Sequence, residues 1–327
     1  VPTLSDVSIA SDNATNTLAK VNDVITLTIT ASEAISEPVV TFQSGGAAID
    51  DTSITYVDTS GSAGTAWTAA YTAAAGYTEG AVTYSIAFLD LAGNAGTAVT
   101  SGTGSVTFDK TAPTVSSFVL GASALKAGET TQVTLTFSEA VIGFSSADAI
   151  TVTNGNGTLT DMTSADSGVT WTGTFTPSVD TEETSNALTL SSDYTDLAGN
   201  AGPTASTGTF TIDTLVPTLS AVSIASNNAT TTLAKEGNVI TLTITASEAI
   251  SEPVVTFQSG GEDINNTTIA YGGSGTSWTA AYTTAGGDDE GLVTYSIEFL
   301  DLAGNAGTAV TSGTGSVTFD KTAPTVS

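Results

Sequence analysis

Apolar residues recur at every second position in several short stretches of this chain. Ile25, Leu27 and Ile29 alternate with threonines, Val82, Tyr84, Ile86 and Phe88 alternate with Thr83, Ser85 and Ala87, and Val106 and Phe108 flank Thr107. A period of two with β-branched fillers predicts strands buried on one face. Val7–Ile9, Val39–Phe42, Ile54–Tyr56 and Trp67–Tyr71 are further candidates, bounded by Gly, Asn, Asp and Ser. Trp67, Trp171 and Trp278 are each followed four residues on by Tyr71, Phe175 or Tyr282, which puts both rings on one strand face and predicts core packing.

The pattern is repeated. Val24–Gly46 recurs unchanged as Val239–Gly261, and Phe88–Ser116 recurs as Phe299–Ser327. Between them the same plan runs in different words, LTFSEAV for LTITASEAI and YTDLAGNAG for FLDLAGNAG. Prolines at Pro2, Pro113, Pro217 and Pro324 mark units of roughly 107 residues, one domain each. The expected organisation is all-β: three tandem immunoglobulin-like antiparallel β-sandwich domains of about seven strands each, end to end. Their bounds are 1–110, a diverged 111–214, and 215–321. Residues 322–327 open a following repeat, so a longer array is expected. Ile54–Trp67 is longer than its counterpart Ile269–Trp278, an insertion that suits a surface loop.

Composition narrows the chemistry. The chain carries 33 acidic groups against five lysines, a formal net charge of −28, and neither His nor Cys. This excludes histidine general bases, cysteine nucleophiles, disulfides, and zinc, haem or iron–sulfur ligation through those residues. Nucleic acid and anionic membrane surfaces are repelled, and cations are the expected counter-ions. No apolar run approaches the length of a membrane span.

Three acidic features recur in every unit. Ser-Glu closes the second strand at Glu33, Glu139 and Glu248. Asp-x-Ala-Gly-Asn follows the sixth, at Asp90 to Asn94, Asp196 to Asn200 and Asp301 to Asn305. A third Asp follows the last strand, at Asp109, Asp213 and Asp320. In an immunoglobulin-like sandwich the loops after the second and sixth strands lie at the end where the chain enters. Asp109 is therefore expected to meet Glu139, Asp196 and Asn200, and Asp213 to meet Glu248, Asp301 and Asn305. Calcium, which takes about six to eight oxygens in loose geometry, suits such a cage better than magnesium. A plain turn with solvated acids is the alternative. Glu37, Glu252 and Asp148 lie near the same loops, and Asp12, Asp23, Asp50, Asp51, Asp288 and Asp289 read as solubilising charge in loops.

Ser123-Ala124-Leu125-Lys126 matches a Ser-x-x-Lys nucleophile motif, but it is expected in a loop, and Thr17–Lys20 and Thr232–Lys235 repeat it without the serine. Paired carboxylates could serve a glycosidase, yet acids triplicated at junctions do not describe one cleft. No enzyme is expected.

The words SEAISEP, FSEAV, DLAGNAG, FDKTAPT and IDTLVPT resemble the bacterial immunoglobulin-like repeats of giant surface adhesins, RTX adhesins and biofilm-associated proteins among them. The resemblance covers the whole chain. It implies extracellular extender modules on the bacterial cell surface, stiffened by calcium between neighbouring repeats and holding a distal ligand-binding region away from the cell. A monomeric rod without membrane insertion is the implied state. The middle linker departs from the pattern, with Asp-Thr-Leu-Val-Pro for Asp-Lys-Thr-Ala-Pro. Two other readings are a module that itself binds glycan or protein, disfavoured by an aromatic content of 7%, and an accessory segment of a secreted polysaccharide-degrading enzyme.

Overall fold

The computed structural model describes residues 1–326. The first unit contains β1 (Leu4–Ser11), β2 (Leu18–Ala19), β3 (Val24–Ala31), β4 (Val39–Ser44), β5 (Ala47–Ala48), β6 (Thr55–Asp58), β7 (Ala66–Thr72), β8 (Gly80–Ala87) and β9 (Thr107–Phe108). One layer has the order β1-β3-β7-β6 and the other β2-β9-β8-β4-β5. Seven of these are the expected strands; β2 and β5 are two-residue additions.

The alternating sequence produces the layers directly. Ile25, Leu27 and Ile29 are fully buried between the sheets, while the intervening threonines face outward. Each such side chain contributes about 1.5–3 kcal/mol by leaving water. Tyr56 ties the layers together, its hydroxyl accepting from Val40 N–H at 3.0 Å. Trp67 packs against the core while its indole N–H donates to the Gly64 carbonyl, and Trp171 and Trp278 do the same with Gly168 and Gly275. The core-packing expectation for the tryptophans therefore holds.

The expected antiparallel sandwich holds, with one two-residue edge ladder added: β2 runs parallel to β9, with Leu18 opposite Thr107 and Ala19 opposite Phe108. One expectation needs correction. The tetrapeptides ending in Lys20, Lys126 and Lys235 are not loops. Ala124–Lys126 pairs in parallel with the last strand of the second unit, and Leu233–Ala234 with that of the third. Neither arrangement supplies the helical turn that Ser-x-x-Lys chemistry requires.

The third unit repeats the sheet orders of the first. In the second, Val115–Leu120, Thr131–Phe137, Thr170–Pro177 and Gly157–Leu159 form the equivalent of the first layer, but the facing layer is divided into shorter ladders. A one-turn helix at Ser146–Ala149 lies in the altered region. Each unit has its own apolar core. Among the described residues no helix is long and apolar enough to cross a membrane.

Candidate metal centre

The Ser-Glu dipeptide is the first part of the site. In every unit its serine clamps the incoming chain. Ser138 N–H donates to the Thr114 carbonyl and its hydroxyl accepts from Thr114 N–H, both at 2.9 Å. Ser247 does the same to Thr218, and Ser32 to Thr3. The clamp brings the following glutamate against the linker just crossed.

The Asp-x-Ala-Gly-Asn loop is the second part. The Asp196 carboxylate accepts from the Asn200 backbone and amide N–H groups at 2.9 and 2.8 Å, and Asp301 receives the same pair from Asn305. Asp90 and Asn94 form the same turn in the first unit, so the loop geometry is local. Hydrogen bonding from Asn94 holds Asp90 below its ordinary range. At the junctions the asparagine amide also reaches back across the boundary, to the Asp109 carbonyl from Asn200 at 3.1 Å and to the Asp213 carbonyl from Asn305 at 2.9 Å. The Asn305 side-chain oxygen accepts from Ala127 N–H.

The third part is the Asp that leaves the preceding unit. Asp109 N–H donates to the Ala19 carbonyl, so β2 fixes where this acid stands. Together the parts form two three-carboxylate clusters, Asp109–Glu139–Asp196 and Asp213–Glu248–Asp301, whose oxygens lie within 4.8 Å of one another. Asp196 and Asp301 are buried, the others half-buried. Burial, with added repulsion from Asp196 and Glu79, pushes Asp109 above its ordinary value despite a hydrogen bond from Thr111 N–H. Glu139 rises by burial and then by Asp109 and Asp196. Asp213 and Glu248 rise for the same reasons, burial first and the other acids of their cluster next.

In the second cluster Asp213 Oδ1 and Glu248 Oε1 are buried without a hydrogen-bond partner. Negative oxygens left unpaired in this way are costly, and a hard cation is the group that satisfies them. The donor set, all oxygen and drawn from separate segments, fits calcium.

The remaining candidates stand apart. Glu33, Asp90 and Asn94 lie at the entry end of the first unit and Asp320 at the exit end of the third, and none belongs to either cluster. Asp320 accepts from Thr322 N–H just as Asp109 accepts from Thr111. A fourth carboxylate at each junction escapes the sequence reading. Glu79 faces Asp109 and Glu139, and Glu182 faces Asp213 and Glu248. Glu79 accepts from Lys110 N–H and the Thr111 hydroxyl, and Glu290 receives the matching bonds from Lys321 and Thr322. The only sequence signal was an acid at or just ahead of the start of a strand in each unit, Thr-Glu-Gly, Thr-Glu-Glu or Asp-Glu-Gly.

No curated protein matches the chain. Among solved structures it is similar to the titin I-band fragment I67–I69, at 11% identity over 98% of this chain and 99% of that one, with a TM-score of 0.42. The ICAM-5 D1–D4 ectodomain fragment gives 13% identity over 96% and 77%, TM-score 0.33. The D00–D0 domain of intimin gives 12% over 63% and 99%, TM-score 0.25. Residues 109–212, the middle unit with its incoming Asp109, match the family model of the bacterial Ig-like domain, and the chain as a whole is an all-β array of Ig-like domains in tandem.

Proposed function

We propose that this chain is a non-catalytic spacer from the extracellular part of a bacterial surface protein, stiffened by a calcium ion at each junction between its Ig-like units. The observation that carries the reading is the duplicated carboxylate cluster. Two junctions with different linker sequences bring together the same three acids, two from one unit and one from its predecessor. Glu79 and Glu182 are placed to add a further carboxylate. Bound there, the ion would cross-link neighbouring units and satisfy the unpaired oxygens of Asp213 and Glu248. A large surface adhesin of the RTX or biofilm-associated type is the setting in which we place this role.

The test is small-angle scattering and thermal unfolding of the chain with calcium and with excess EGTA, alongside calorimetric titration. Two calcium ions should bind per chain, and chelation should soften the particle and lower the melting temperature. At ten times the dissociation constant each ion adds about 1.4 kcal/mol. Indifference of shape and stability to calcium would sink the reading.

A further inference from the structure

The lysines at the ends of the parallel edge strands are used neither by the cores nor by the carboxylate clusters. Lys20 and Lys126 nevertheless reach into the next unit. Lys20 Nζ donates to the Gly199 carbonyl at 2.7 Å, and Lys126 Nζ donates to the Gly304 carbonyl at 3.2 Å. Both acceptors occupy the same position of the Asp-x-Ala-Gly-Asn loop. The pairing of each edge strand with the last strand of its unit delivers the lysine to the exit end; Lys126 stands opposite Asp213 itself.

The acceptor glycines leave room for this contact in a turn whose positive φ is local, since Gly93 has φ of +89° with no neighbour within 4 Å. Gly199 and Gly304 have φ of +91° and +90°, a conformation that disfavours side chains, and a Cβ there would stand 3.1 or 3.2 Å from the lysine Nζ. Accessory bonds differ between the junctions: Asn13 Nδ2 donates to the Ala198 carbonyl at the first, and Ala127 N–H to Asn305 Oδ1 at the second. The lysine-to-glycine bond is common to both. Lys110 and Lys321 also donate to backbone carbonyls, within their own units. Four of the five lysines thus bind carbonyls in a chain with 33 acidic groups, which leaves the junction carboxylates uncommitted.

We propose that Lys20 and Lys126 are metal-independent interdomain ties. Each holds the turn of the following unit's Asp-x-Ala-Gly-Asn loop against the unit before it, and so keeps Asp196 or Asp301 in register with Asp109 or Asp213 without any cation. A charge-assisted hydrogen bond to a carbonyl is stronger than a neutral one and suits this role. The tie does not depend on the calcium reading.

Amide hydrogen exchange on the whole chain in calcium-free buffer tests it. In a K20M/K126M variant the Gly199, Asn200, Gly304 and Asn305 amides should exchange about fivefold faster or more. Gly93, Asn94 and the core amide of Leu27 should not change. A K20R/K126R variant, which keeps a cationic donor, should retain the protection, and K235M should leave these amides as they are, since Lys235 contacts none of them. Unchanged exchange at the four junction amides in K20M/K126M would overturn the tie. Failure of calcium to bind would leave this comparison intact.

Discussion

Tyr71 and Tyr282 show what a single buried hydroxyl contributes. Each ring is 2% exposed and packs against Phe42 or Phe257, yet neither hydroxyl has a hydrogen-bond partner. The middle unit has Phe175 at this position. Tyr71→Phe and Tyr282→Phe should therefore leave stability unchanged or raise it by up to about 1 kcal/mol each, read from denaturant midpoints. Glu248 poses the opposite problem, an unpaired carboxylate oxygen with Asp213 and Asp301 for neighbours. Glu248→Gln should raise the melting temperature of the calcium-free chain and weaken calcium binding at that junction about tenfold or more, by calorimetry. A variant that changed both in the same direction would show that the acid has a role other than holding a cation.

Among the elements, the Ser-Glu corner couples the linker to the site. Removing the Ser247 hydroxyl unties Thr218 N–H, so Ser247→Ala should cost about 1 kcal/mol and also lower calcium affinity through the loosened Glu248. Titration of the variant against the parent chain checks both effects. The main strands were legible in the sequence because a buried face repeats every second residue, as in β3 and β8. The acids that meet at the junctions were legible because the sandwich topology dictates which loops share an end. Leu18–Ala19 was not, since two residues are too few to show a period and their partner, Thr107–Phe108, is distant in sequence. The lysines passed as loop residues for the same reason. Glu79 and Glu182 were hidden because an acid at or before the start of a strand looks like any solubilising charge until the fold brings it to the linker.

At the scale of the molecule, the raised carboxylates predict a pH dependence. Asp109, Glu139, Asp213 and Glu248 titrate above their ordinary values of 3.8 and 4.5 when no cation is bound, so the folded chain holds their protons more tightly than the unfolded chain. By linkage their contribution is fully present below those ordinary values and is lost as the pH rises through the raised ones. Exposed acids shifted the other way, such as Asp58, Asp90 and Asp166, act only below their ordinary value of 3.8. The calcium-free melting temperature should therefore rise as the pH falls toward the ordinary carboxylate values, and saturating calcium should flatten that slope. A melting series with and without the ion measures it.

Each carboxylate cluster is split between two units, and every unit carries one half at its entry and the complementary half at its exit. Glu33 and Asp90 repeat the entry half, and Asp320 with Glu290 repeats the exit half. A connector of this head-to-tail kind can be extended unit by unit, each exit half meeting the next entry half. Recombination between the identical stretches Val24–Gly46 and Val239–Gly261, which lie two units apart, would accordingly add or remove two units at a time and leave every junction with matching halves. On the spacer reading proposed above, reach would then change in steps of two units, with the chemistry of the surface left the same.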